Sequence, residues 1–304
     1  MSTIRVMNIF HPKSLRTVVG FVIKISSVTT SSNSRLENYS THAVNGNINR
    51  EERKTAESDE IRNFSNLADK WWDEGGEFMA LHSLNKLRIP LVRDGLVNSG
   101  RIDMKKAFSG RPLEGIKILD VGCGGGIMSE PLARLGAEVV GLDASQESIA
   151  IAKLHAEKMV NGPKYVCETI EDHSDRHFQD YDAVVLSEVI EHIKNKDSCL
   201  QLCTGMLQPG GSIFITTFNR TWLSWMGIMA SEYVLQIVPP NTHNHEKFIS
   251  PQDLQIMLRK YGCSARLVHG MIYNFLCNKW SWSHYTNVNF ALHAVKLKQE
   301  ELLS

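Results

Sequence analysis

Between Ile116 and Val295 short apolar runs alternate with stretches of helical period. Ile116, Ile118, Leu119 and Val121 make one such run, Glu138 to Leu142 a second and Tyr165 to Cys167 a third. In Tyr181 to Ser187 the residues Ala183, Val184, Val185 and Leu186 follow one another unbroken. Strands apolar on both faces are what a parallel sheet covered by helices requires. The turn Pro209-Gly210-Gly211 predicts a fifth strand over Ser212 to Thr217, and Ala265 to His269 and Val288 to Val295 read as the last two. Helices are predicted over Ile127 to Leu135 and over Ser145 to Val160, and Cys199 and Cys203 sit at i and i+4 of another. One more runs from Pro251 to Tyr261, with Ser250 as N-cap, Pro251 at N1 and Gly262 past its end. The alternation predicts an α/β fold: a doubly wound, mostly parallel seven-stranded sheet, Rossmann-like, with ligands at the carboxyl ends of its strands.

Upstream, Ile61, Phe64, Leu67, Ala68 and Trp71 recur at helical spacing, and a second helical segment covers about Leu81 to Leu91. Together they predict an N-terminal helical cap over 59–110, ahead of the main domain at 111–297. Residues 37–58 are polar and charged and read as a linker. Residues 1–36 hold five basic residues, Arg5, Lys13, Arg16, Lys24 and Arg35, and no acid, interleaved with apolar and hydroxyl residues. That is the composition of a mitochondrial transit peptide, with a plain basic tail as the alternative.

The first strand runs into Asp120-Val121-Gly122-Cys123-Gly124-Gly125-Gly126. Glycine at 122, 124 and 126 lets the backbone turn sharply and approach a ligand, since no Cβ stands in the way. A dinucleotide turn needs a glycine where Ile127 stands, so a dehydrogenase is disfavoured. The second strand ends at Asp143, about 20 residues past the turn, where a carboxylate can accept hydrogen bonds from ribose hydroxyls. A sulfonium cation with an amino-acid tail and no phosphate wants carboxylates and backbone donors rather than a basic clamp. Asp120, Asp143 and the glycine turn therefore point to S-adenosylmethionine and to a class I methyltransferase.

After the fourth strand comes Ser187-Glu188-Val189-Ile190-Glu191-His192. If the segment is helical, Glu188, Glu191 and His192 share one face at i, i+3 and i+4. Methylating an oxygen requires its proton to leave, and a phenol with pKa about 10 needs a base or a metal at neutral pH. A catechol offers two oxygens to a divalent ion held by such side chains, which would lower the hydroxyl pKa. One histidine beside two carboxylates suits Mn2+ or Zn2+ as well as Mg2+. No Asp-Pro-Pro-Tyr or Asn-Pro-Pro-Tyr run follows, and no basic stripe is present, so a small hydroxyl is a better acceptor than nucleic acid.

The 42% hydrophobic content and 304 residues suit one well-buried domain with extensions, and the 33 basic and 33 acidic residues balance. Six scattered cysteines without framework spacing fit a reducing compartment. The segment 222–238, from Trp222 through Trp225, Met226, Met229 and Tyr233 to Val238, is apolar nearly all round but short for a span of about 20 residues. It fits either a lid buried on its own domain or a monotopic helix admitting a lipid-tailed substrate. His243, His245 and Glu246 read as loop residues.

Trp71-Trp72-Asp73, Leu81-His82, Leu87-Arg88, the Leu119 to Gly126 turn, Ala152 to Ala156, Glu188 to His192 and Thr242-His243 together resemble the mitochondrial ubiquinone biosynthesis O-methyltransferases. The likeness covers about 60–297. It implies O-methylation of a polyprenyl-dihydroxybenzoate and of demethylubiquinol, with Arg88, Gly122, Asp143 and Ser187 contacting the methyl donor. Asp120 and Gly124 join that set from the turn itself. It also implies a divalent ion, usually Mg2+, on Glu188, Glu191 and His192. A peripheral place on the matrix side of the inner membrane, in a multi-subunit biosynthetic complex, is implied too. Rival functions are methylation of another small catechol or phenol, and a non-catalytic membrane-bound scaffold.

Overall fold

The computed structural model describes Arg62, residues 68–220 and residues 248–298. The predicted transit peptide, the linker and the segment 222–238 with His243, His245 and Glu246 lie outside the described residues. Among the described residues the sheet has eight strands in the order β3-β2-β1-β4-β5-β8-β6-β7. They are β1 (Lys117–Val121), β2 (Glu138–Asp143), β3 (Lys164–Cys167), β4 (Tyr181–Ser187), β5 (Leu207–Phe218), β6 (Cys263–Asn274), β7 (Lys279–Ser283) and β8 (Asn289–Lys296). β1 to β5 pair in parallel, whereas β8 is antiparallel to both β5 and β6. The expected seven strands become eight because β7 folds back antiparallel on β6. Its sequence, Lys-Trp-Ser-Trp-Ser, alternates and leaves much of itself exposed, so it lacks the continuous apolar run that revealed the others.

The apolar runs divide between two cores. Leu119, Val184, Leu186, Ile213 and Ile215 face one core, and Ile118, Ala183, Val185 and Phe214 the other. Successive strand residues point to opposite faces, so both faces must be covered. On the second face lie α1 (Met79–Asn98) and α2 (Ser129–Arg134). α3 (Gln146–Ala156) follows β2, and the short α4 (Ile170–Ser174) precedes β4. α5 (Lys196–Met206) and α6 (Pro251–Lys260) cover the first face through Cys199, Leu200, Leu254 and Leu258.

The caps follow sequence chemistry. Ser145 accepts a hydrogen bond from the Ser148 amide, and Ser250 from the Asp253 amide, as N-caps do. α1 continues past Pro90, beyond the predicted end near Leu91, to Asn98. Burial of Leu91, Val92 and Leu96 outweighs the hydrogen bond that the proline removes. Strand order reverses between β1 and its neighbours β2 and β4, which opens a crevice at the carboxyl ends of β1 and β4.

Candidate active site

Val121 delivers the chain into the glycine turn, where Gly122, Gly124 and Gly126 all have positive φ. A Cβ on Gly122 would stand 2.6 Å from Cγ2 of Val189, so the turn and the segment after β4 touch there. Trp71 lies across the turn, stacked on Phe78 with ring centroids 4.1 Å apart. The Trp72 indole N–H donates to the Gly125 carbonyl at 2.9 Å, and its ring stacks on His155 at 3.4 Å. His155 in turn meets the buried Glu130 at 2.6 Å. The tandem tryptophans thus bind the cap to the turn.

Asp143 ends β2 with one oxygen accepting from the Gly124 amide at 2.9 Å and the other from the Ser145 amide at 2.8 Å. Each carboxylate oxygen keeps a further lone pair for a ribose hydroxyl. Burial raises its pKa against those amide hydrogen bonds. Asp120 is 2% exposed and takes the Ser129 hydroxyl at 2.5 Å; burial pushes its carboxyl up to about 6. It stands beneath the turn, tied to the start of α2.

Arg88 is buried on α1, and burial lowers its guanidinium to about 10, against the raising influence of Glu188 and Asp120. It therefore remains a cation at neutral pH. Its Nη1 donates to Ser187 Oγ at 2.7 Å, and Ser187 Oγ also shares a 2.8 Å hydrogen bond with Thr216 Oγ1. Arg88 and Ser187, 99 residues apart in the chain, are brought together by this hydrogen bond.

The segment after β4 is not α-helical. Glu188 has φ +56 and only Ile190–His192 form a 3-10 turn, so the shared helical face for Glu188, Glu191 and His192 does not exist. A left-handed glutamate is a strained conformation of the kind that gathers at functional sites. The Glu188 amide is held by the Thr216 carbonyl at 2.9 Å. Burial, and next the charge of Glu191, push the Glu188 carboxyl up to about 7. Glu191, 2% exposed, accepts from Thr217 Oγ1 at 2.8 Å, and burial raises it too. The Oε1 atoms of Glu188 and Glu191 are both buried without a hydrogen-bond partner. Among the described residues no group of three or more His, Cys, Asp or Glu side chains is arranged to hold a metal ion. The three side chains are thus not preset as a Mg2+ cage, although the unpartnered Oε1 atoms of Glu188 and Glu191 leave each carboxylate one oxygen for a cation.

Sequence reasoning missed Asn85, Ser129, Thr216 and Thr217. Asn85 was legible as the residue one helical turn before Arg88, and the threonines as the end of a strand facing the crevice. Ser129 carried no signal of its own.

Residues 101–268 match a methyltransferase domain family. Over 257 residues the chain is 44% identical to the mitochondrial ubiquinone biosynthesis O-methyltransferase of Rattus norvegicus, spanning 82% of this chain and 72% of that protein. It is 37% identical to the ubiquinone biosynthesis O-methyltransferase of Chelativorans sp., over 83% of this chain and 98% of that one. A solved SAM-dependent methyltransferase of Thermotoga maritima superposes with a TM-score of 0.51 at 14% identity, over 78% of this chain and 99% of that one, a likeness of fold.

Proposed function

Because this chain belongs to the ubiquinone biosynthesis O-methyltransferase family, we propose that it methylates one hydroxyl of a polyprenyl-dihydroxybenzoate and of demethylubiquinol in the crevice between β1 and β4. S-adenosylmethionine supplies the methyl electrophile: a bond forms from ring oxygen to carbon as the carbon–sulfur bond breaks. Arg88 would meet the methionine carboxylate through Nη1, the nitrogen that faces the crevice. Gly122 and Gly124 give that tail room, and Asp143 accepts the ribose hydroxyls. Asp120 steadies the turn from below through Ser129.

The observation that carries the reading is Glu188, whose Oε1 is buried without a partner and whose neighbour Val189 packs on Gly122 of the turn; burial pushes its carboxyl up to about 7. A base is most effective when its pKa lies near the working pH, so Glu188 takes the ring hydroxyl proton while His192 faces the charge that forms. Glu191, held by Thr217, lies close enough that its charge is, after burial, the next cause raising the Glu188 carboxyl. The two unpartnered Oε1 atoms, with His192 beside them, are the groups that would hold Mg2+, which would supply Lewis-acid polarisation of the ring oxygens.

The finer setting is a mitochondrial protein, peripheral on the matrix side of the inner membrane, working beside other enzymes of the route. The basic, acid-free first 36 residues and the relatives' mitochondrial names support it. Among the described residues no helix is long and apolar enough to cross a membrane. Incubating purified protein with methyl-labelled S-adenosylmethionine and catechols with and without a prenyl tail, in Mg2+ or in EDTA, tests the proposal. Label should enter the tailed ring, with less transfer in EDTA. Transfer only to an untailed catechol would overturn the substrate assignment, and an EDTA-insensitive rate would remove the metal.

A further inference from the structure

Three of the guanidinium hydrogen bonds of Arg88 do not face the crevice. Nε and Nη2 both donate to Asn85 Oδ1, at 3.1 and 2.7 Å, and Nη2 also donates to the Leu81 carbonyl at 2.8 Å. Only the Nη1 edge is left to reach across to Ser187. The other end of Asn85 is engaged as well: Nδ2 donates to the Ile127 carbonyl at 2.8 Å, at the close of the glycine turn. The amide can be oriented in one way only, because the opposite rotation would set its NH2 against two guanidinium donors and its oxygen against a carbonyl.

Asn85 therefore ties the cap's cation to the end of the turn. Arginine has a long side chain with much rotamer freedom, and aiming it at a ligand has an entropic cost unless other groups fix it first. Asn85 sits three residues before Arg88 on α1, on the same side of the helix, where its oxygen can hold two guanidinium nitrogens at once. Resting on the reading of the crevice as an S-adenosylmethionine site, we propose that Asn85 is a positioning residue that aims Nη1 of Arg88 at the ligand's amino-acid carboxylate and fixes it relative to the glycine turn. Two consequences follow from that geometry. Loss of Asn85 should weaken ligands that carry the carboxylate and spare those that lack it. Its contribution should also vanish once Arg88 is gone.

Calorimetry on the full chain tests this with two probes, S-adenosylhomocysteine, which has the amino-acid tail, and 5′-methylthioadenosine, which does not. In Asn85→Ala the first should bind about tenfold more weakly, the scale of lost charge-assisted hydrogen bonds, and the second within about twofold of wild type. Retained methylthioadenosine binding also certifies that the variant is folded. In a double-mutant cycle with Arg88→Ala the two losses for S-adenosylhomocysteine should be strongly non-additive. Equal losses for both probes, no loss for either, or additive losses in the cycle would overturn the role of Asn85 while leaving the site reading intact. Wild-type protein that binds neither probe would overturn the site reading and this inference with it.

Discussion

Gly122 shows how narrowly the crevice is specified at single residues. Its φ of +68 and the 2.6 Å approach of a built Cβ to Val189 penalise any side chain twice, through backbone strain and through collision. Gly122→Ala should lower stability by about 2–5 kcal/mol, the left-handed cost plus overpacking. Because Val189 follows Glu188, the variant should also weaken S-adenosylhomocysteine binding and slow turnover. Adding Val189→Ala should relieve the collision and recover part of the stability, but not the share due to φ; denaturant midpoints of the single and double variants check this. Full recovery would mean that the turn does not need a glycine's backbone. At this scale the sequence showed the glycines, Asp143 and Arg88 but not the conformation of Glu188. A helical i, i+3, i+4 reading of 188–192 was reasonable from spacing alone. The Thr216 carbonyl, from a strand far along the chain, pins the Glu188 amide instead.

Among the elements, those with local signals were read well. Tyr181–Ser187 matches its predicted span, and the helix opened by Ser250 and Pro251 ends beside Gly262. Both carry their signals in the chain itself, as an unbroken apolar run or as cap chemistry. β7 and α4 escaped because one is a half-exposed edge and the other only five residues long. Ser250→Ala should cost about 1 kcal/mol of stability, as N-cap removals do, and leave S-adenosylhomocysteine affinity unchanged, because α6 lies on the face away from α1. Thermal melting beside calorimetry reads both quantities. A large affinity change without a change in melting would show that α6 communicates with the crevice.

In the molecule as a whole, the sheet is stabilised through a histidine that must stay neutral. His293 on β8 is 3% exposed, stacks on Phe214 at 4.5 Å and meets Ser212 Oγ at 3.0 Å. Burial, and next the charge of Arg266, lower its pKa from 6.5 to about 4. The folded value lies below the unfolded one, so as pH falls the unfolded chain takes up the proton first. The stability linked to this group is present above about pH 6.5 and is lost on descent towards pH 4, about 3 kcal/mol in all. Urea midpoints should fall across that window in the wild type and fall less in His293→Gln. An equal acid sensitivity in the variant would assign the loss to other groups.

The reaction assigned to the crevice depends on Glu188 removing a ring proton beside a methyl donor held by other residues. Turnover of Glu188→Ala at saturating S-adenosylmethionine, measured on protein whose S-adenosylhomocysteine affinity is determined in the same preparation, addresses that dependence directly. The expected result is a rate lower by about 10²–10⁴-fold, the usual contribution of a positioned base, with affinity within about twofold of wild type. A rate close to wild type would contradict it.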